Sequence, residues 1–104
     1  MRVKTNELTG AALDWAVALC EVGPIDIKDI DDPHFYSTDW AEGGPIIERE
    51  KITTEWTGED WMGYIRHDEE FFGPTPLIAA MRCYVASKLG EEITVPEALL
   101  ETSN

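Results

Sequence analysis

The chemistry-bearing residues of this chain crowd into one short stretch. His34, Ser37 and Asp39 place an imidazole, a hydroxyl and a carboxylate within six residues, with the Trp40 indole beside them. Catalytic triads are usually assembled from separated segments, so this proximity argues weakly for nucleophilic catalysis. No G-x-S-x-G elbow, phosphate-binding G-x-x-x-x-G-K-[ST] or H-E-x-x-H motif occurs anywhere in the chain. Binding is better supported than turnover. Ser37, Thr38 and Asp39 can each bond nearby backbone and so suit a turn or a helix cap. Gly43 and Gly44 permit positive φ and close approach of a ligand, and Pro45 fixes the exit direction. The stretch from Ser37 to Pro45 is therefore expected to be a rigid recognition loop. The plainer alternative is a tight connection whose Trp40 fills the core.

Ser37, Thr38 and the amides around Gly43 and Gly44 are candidate donors to a polar or phosphate group. Arg49 and Arg82 could neutralise an anion there, although Arg82 could equally pair with Asp39 or Glu48 and clamp the loop to a helix. Trp40, Trp56, Trp61 and Tyr64 could offer a flat aromatic face, worth about 1–3 kcal/mol per stacked base. Metal chemistry has little support. The acidic turn Asp29–Pro33 lacks the glycine and distal glutamate of an EF-hand, and His34 and His67 lack metal-type spacing. No cofactor is expected.

The charge balance bounds the partners. Twenty-one Asp and Glu against 8 Lys and Arg give a net charge of -13 over 104 residues. Such a field repels phosphate backbones and anionic membranes, so direct nucleic-acid binding is disfavoured. A basic protein partner, nucleic-acid mimicry and simple solubility all remain compatible with it. No apolar run approaches the roughly 20 residues needed to span a bilayer, and no secretory signal is apparent at the N-terminus. Cys20 and Cys83, without a C-x-x-C, read as reduced core residues of a cytoplasmic protein.

The elements expected to position these residues form one α+β domain, with two main helices on a small, mostly antiparallel sheet. Met1–Lys4 reads as an edge strand with Val3 inward. Thr9 caps a helix over 9–22, which Gly23-Pro24 stops. Its polar stripe is Asp14, Ala18 and Glu21. The apolar arc is wider than a surface helix needs, implying cover on two sides or contact with a second copy. Ile25–Lys28 reads as a strand or extended link, and Ile46–Thr54 as a helical turn followed by a strand. Trp61–His67 alternates and should pair with residues 51–56 across a Thr57–Asp60 turn. Thr75 as N-cap, Pro76 at N1, Lys88 in the last turn and Gly90 as the stop mark the clearest helix, 75–90. Phe71–Pro74 leads into that helix, and Pro96 could start a helical turn in the tail.

With these segments set out, the chain resembles the NinX family of small proteins from tailed phages and prophages. The resemblance rests on Val3–Val17, on Ser37–Glu48 and on Thr75–Gly90. It implies a phage-encoded accessory protein acting in the host bacterial cytoplasm, and it brings no catalytic residues. By analogy with other phage accessory proteins, two roles are open. One is a homo-oligomeric sponge that sequesters a nucleotide-like signal used in antiphage defence, through Ser37, Thr38, Asp39, Trp40, Gly43, Gly44, Arg49 and Arg82. The other is an acidic inhibitor or nucleic-acid mimic that binds a host protein through Asp29–Asp32 and Glu59–Glu70.

Overall fold

The computed structural model describes residues 1–23, 35–66, 69–97 and 99. The order is β1 (Arg2–Lys4), a single 3-10 turn (Thr5–Glu7), α1 (Gly10–Val22), α2 (Trp40–Glu50), β2 (Thr53–Trp56), β3 (Trp61–Tyr64), β4 (Glu70–Gly73), α3 (Pro76–Leu89) and β5 (Glu92–Thr94). It is an α+β fold, as expected. The segment 25–33, His34 and His67 lie outside the described residues.

The chain is built on α3. Its N-terminus is set by the Thr75 hydroxyl, which accepts the Ile78 amide at 3.1 Å, and by Pro76 at the first helical position. Gly90, at φ 92°, ends it. Leu77, Ala79, Ala80, Met81, Tyr84 and Val85 are all buried, the larger apolar ones contributing about 1.5–3 kcal/mol each. The three-stranded sheet β2-β3-β4 lies against this helix, with Trp56 opposite Trp61 and Met62 opposite Phe72. Close approach depends on missing side chains. A Cβ on Gly63 or Gly73 would stand only 2.8 Å from the Ala79 backbone. Glycine therefore lets a sheet meet an alanine stretch of helix at backbone distance.

β1 pairs with β5 in a separate two-stranded sheet, Val3 facing Ile93. Thr5, fully buried, satisfies itself on the far end of α3: its hydroxyl donates to Gly90 O at 2.6 Å and its amide to Glu91 O at 2.7 Å. The strand at 2–4 and the hairpin at 53–64 follow the sequence expectation. Two strands were not anticipated, β4 and β5. The tail after β5 does turn at Pro96, where the Leu99 amide donates to Pro96 O at 3.0 Å.

The main correction concerns residues 40–50. They form a continuous helix, with Gly43, Gly44 and Pro45 inside it. Local propensity opposes this, since each glycine costs up to about 1 kcal/mol and an interior proline about 3. Packing overrides it: Gly43 and Ile46 are buried against α3. Pro45 and Ala41, whose carbonyl loses its helical donor, both lie on the exposed side. On α1, Thr9 occupies the cap position but its hydroxyl makes no cap bond. The stripe of Asp14, Ala18 and Glu21 is covered, with Ala18 buried and both acids used as acceptors.

Candidate functional site

Residues 37–45 are the N-terminal end of α2 and the turn before it. Asp39 is the N-cap, its Oδ1 accepting the Ala41 amide at 2.9 Å. The amides of Thr38 and Asp39 both donate to Phe35 O, at 3.1 and 2.7 Å. Glu42, in the first helical turn, accepts the Phe35 amide. Two carboxylates therefore already meet the positive end of this helix, so an incoming phosphate would face negative charge there.

Ser37 is buried, and its amide donates to Asp14 Oδ1 at 2.8 Å, joining the turn to α1. Burial pushes the Asp14 carboxyl above its ordinary 3.8, and the bonds from Ser37 work the other way. Gly43 has no room beside it. An added Cβ would collide with the Tyr36 carbonyl oxygen and lie 2.5 Å from Leu77 Cδ1. The space a ligand would enter beside Gly43 is filled by the chain itself. Gly44 is looser, with only Trp40 Cε3 at 3.8 Å. Thr38 and Asp39 are exposed, and Trp40 is 54% exposed, so its indole is presented to solvent and does not fill the core.

The two arginines work elsewhere. Arg49, in the last turn of α2, makes a double bond pair to Glu21, with Nη1 to Oε1 at 3.1 Å and Nη2 to Oε2 at 2.6 Å. The Tyr84 hydroxyl donates to the same Glu21 oxygen at 2.5 Å, and Arg49 Nε reaches Glu50 at 2.9 Å. This cluster locks the ends of α1 and α2 to the middle of α3. Arg49, and then Tyr84, hold Glu21 below its ordinary 4.5, while burial and the Glu21 carboxylate push the Tyr84 phenol up. The sequence offers Arg82 either an anion or a pairing with Asp39 or Glu48, and it makes neither contact. Instead Nε donates to Leu8 O at 2.7 Å and Nη1 to Phe72 O at 2.6 Å. Loop and strand carbonyls lie within reach of a mid-helix arginine here, and its planar fork satisfies two of them. The internal clamp exists, but Arg49 and Glu21 form it.

The aromatic residues divide into separate groups. Trp56 and Trp61 stand opposite each other, ring centroids 5.5 Å apart and tilted by 57°. Strand alternation puts Trp61 on the same side as Gly63, toward α3, and Tyr64 on the other side. Trp40 sits on α2. A cleft of about 720 Å³ opens between β1, β4 and the end of α3, lined by Arg2, Lys4, Asn6, Glu70, Phe71 and Glu92 among others. Arg2 and Glu92, both in its lining, pair at 3.3 Å. It contains none of the candidate ligand-binding residues, and only the pairing of β1 with β5, 90 residues apart, could have revealed it.

Cys20 and Cys83 are free, with burial pushing each thiol up to about 11. Among the described residues no group of His, Cys, Asp and Glu could hold a metal ion, and no helix is long and apolar enough to cross a membrane. The region read as a loop is thus a helix terminus welded to α1 and α3. Comparison with curated proteins returns no match. The family model described as Bacteriophage P22, NinX matches residues 4–88, including both the α2 terminus and all but the final residue of α3, and the chain accordingly belongs to the NinX family of phage proteins.

Proposed function

We propose that this phage accessory protein works by binding without turnover, and that it binds a basic surface on another protein, in the host or in the phage. The observation that carries the reading is the surplus of exposed carboxylate. With a net charge of -13, the chain has few cations to neutralise its acids. The described ion pairs occupy Arg2, Arg49 and Lys88 with Glu92, Glu21 and Glu50, while Arg82 is spent on carbonyls. Glu48, Glu55, Glu59, Glu69 and Glu91 stay exposed on several elements. A field of this kind raises association rates with cationic partners and rejects anionic ones. Immobilised protein should capture basic proteins from a bacterial extract at low salt and release them at high salt. Capture that is indifferent to salt, or directed to acidic proteins, would contradict the reading.

A second reading has one observation behind it. The exposed Trp40 indole stands beside exposed Thr38 at the start of α2. A nucleotide-like ligand could stack there, with Ser37, Asp39, Gly43 and Gly44 shaping the region indirectly. Thermal shift against nucleotides and cyclic dinucleotides decides: ligand at about 100 times its Kd adds roughly 2.7 kcal/mol to stability. No shift across the panel would remove the reading.

A further inference from the structure

β2 pairs only with β3 in its sheet, so its other edge is unpaired among the described residues. Strand alternation identifies the groups that face outward. Phe72 of β4 gives its amide to Asn6 and its carbonyl to Arg82, so both point away from β3. Its partner Met62 must then direct its own groups toward Glu55 of β2. The turn agrees, because the Thr57 amide donates across to Asp60 O at 2.9 Å. Thr53, Glu55 and Thr57 therefore bond inward. Thr54 and Trp56 present N–H and C=O outward, while the corresponding edge of β4 is closed by Asn6 and Arg82.

The surroundings select an occupant. Trp56 is 55% exposed, its ring 5.5 Å from that of Trp61 and tilted to it by 57°. Glu59 and Asp60 lie in the turn that follows Trp56, and Glu55 projects from the opposite face of β2, whereas Lys51 and Arg66 lie exposed toward the Thr53 end. We propose that this edge takes up an extended, basic segment of a partner protein as a fourth strand, with an arginine or lysine against Trp56 beside the Glu59–Asp60 turn. The proposal rests on the protein-binding reading above and names its mode. Backbone pairing would supply affinity, and the cation–π contact with the acidic turn would supply register and selectivity. A second copy of this chain is a poor occupant, because its own acidic turn and its charge of -13 would oppose like charge.

The probe is a fluorescent peptide of alternating Arg and Val, one strand in length, measured by anisotropy against the full chain. A matched peptide N-methylated at every residue cannot donate along either edge. Thr54→Pro removes only an outward amide, a position where edge strands tolerate proline, and Thr54→Val keeps it. The N-methylated peptide and Thr54→Pro should each weaken binding by at least about tenfold, and Thr54→Val should leave it unchanged. If Thr54→Pro fails to fold, the comparison of the two peptides decides alone. Equal, salt-sensitive binding of both peptides would overturn strand addition while leaving the charge-driven reading intact. Absence of binding by either at low salt would remove both. A dimer in sedimentation that Thr54→Pro dissolves would make a second copy the occupant and overturn the proposal.

Discussion

Replacing Gly43 and Gly44 by alanine, one at a time, should move stability in opposite directions. Both lie inside α2, where alanine is favoured over glycine by up to about 1 kcal/mol. At Gly44 the new methyl meets only Trp40 Cε3 at 3.8 Å, an ordinary contact, so most of that gain should appear. At Gly43 the methyl collides with the Tyr36 carbonyl oxygen and sits 2.5 Å from Leu77 Cδ1 and 3.3 Å from Cγ. The Leu77 side chain is buried, and the Tyr36 backbone is held by the turn in which Thr38 and Asp39 donate to Phe35 O. Neither can retreat cheaply, and overpacking of this kind costs about 1–3 kcal/mol, more than the propensity gain. At about 4–8 °C per kcal/mol for a domain of this size, Gly43→Ala should lower Tm by roughly 5–15 °C. Gly44→Ala should raise it by about 3–5 °C, on the same scale. Urea and thermal unfolding followed by circular dichroism would measure both. A neutral or stabilising Gly43→Ala would refute the reasoning, because it would mean that the space beside Gly43 is open. Equal destabilisation by both changes would refute it too, by showing that helix packing does not distinguish the two glycines.

Three further outcomes follow from the same geometry. Arg82→Met keeps the stem but strips the donors from the Leu8 and Phe72 carbonyls, and should cost about 2–3 kcal/mol in urea unfolding without affecting partner capture. Glu21 is held below 4.5 mainly by Arg49, so its contribution is full above that value and fades as pH falls through its folded pKa. Glu21→Gln should therefore cost about 1 kcal/mol at neutral pH, a figure kept small by the half-exposed Arg49, and nothing in strong acid. Asp14 has the opposite sign: burial raises it above 3.8, so its contribution is present below that value and lost as pH rises through the folded pKa. Stability of Asp14→Asn relative to the parent should accordingly improve from acid to neutral pH, and a constant difference across that range would contradict the assignment.

What the sequence revealed was whatever local chemistry decides. Thr75, Pro76 and Gly90 mark both ends of α3 because caps and stops act within a turn or two. The β2–β3 hairpin was legible because alternation and the Thr57–Asp60 turn agree. α2 was obscured by Gly-Gly-Pro, whose propensities point away from helix. The helix wins only through contacts with Leu77 and the rest of α3, distant in sequence. β5 is a three-residue strand whose partner is at the other end of the chain, a pairing that no local window contains. Asp14 and Glu21 read only as a polar stripe because a lone helix cannot show that Ser37, Arg49 and Tyr84 will come to meet them. The same blindness left the partners of Arg82 open. Residues 37–45 were conspicuous for a reason of packing: a cap, a buried serine and a glycine that must be bare.

Amide chemical-shift mapping of the full chain, titrated with a salt-released partner, locates the binding surface. Shifts are expected at Thr54, Glu55, Trp56, the Glu59–Asp60 turn and Trp61, fading as salt rises, with Ser37–Gly44 unmoved. Shifts confined to Ser37–Gly44, or evoked there by a small nucleotide and not by a protein, would contradict that placement.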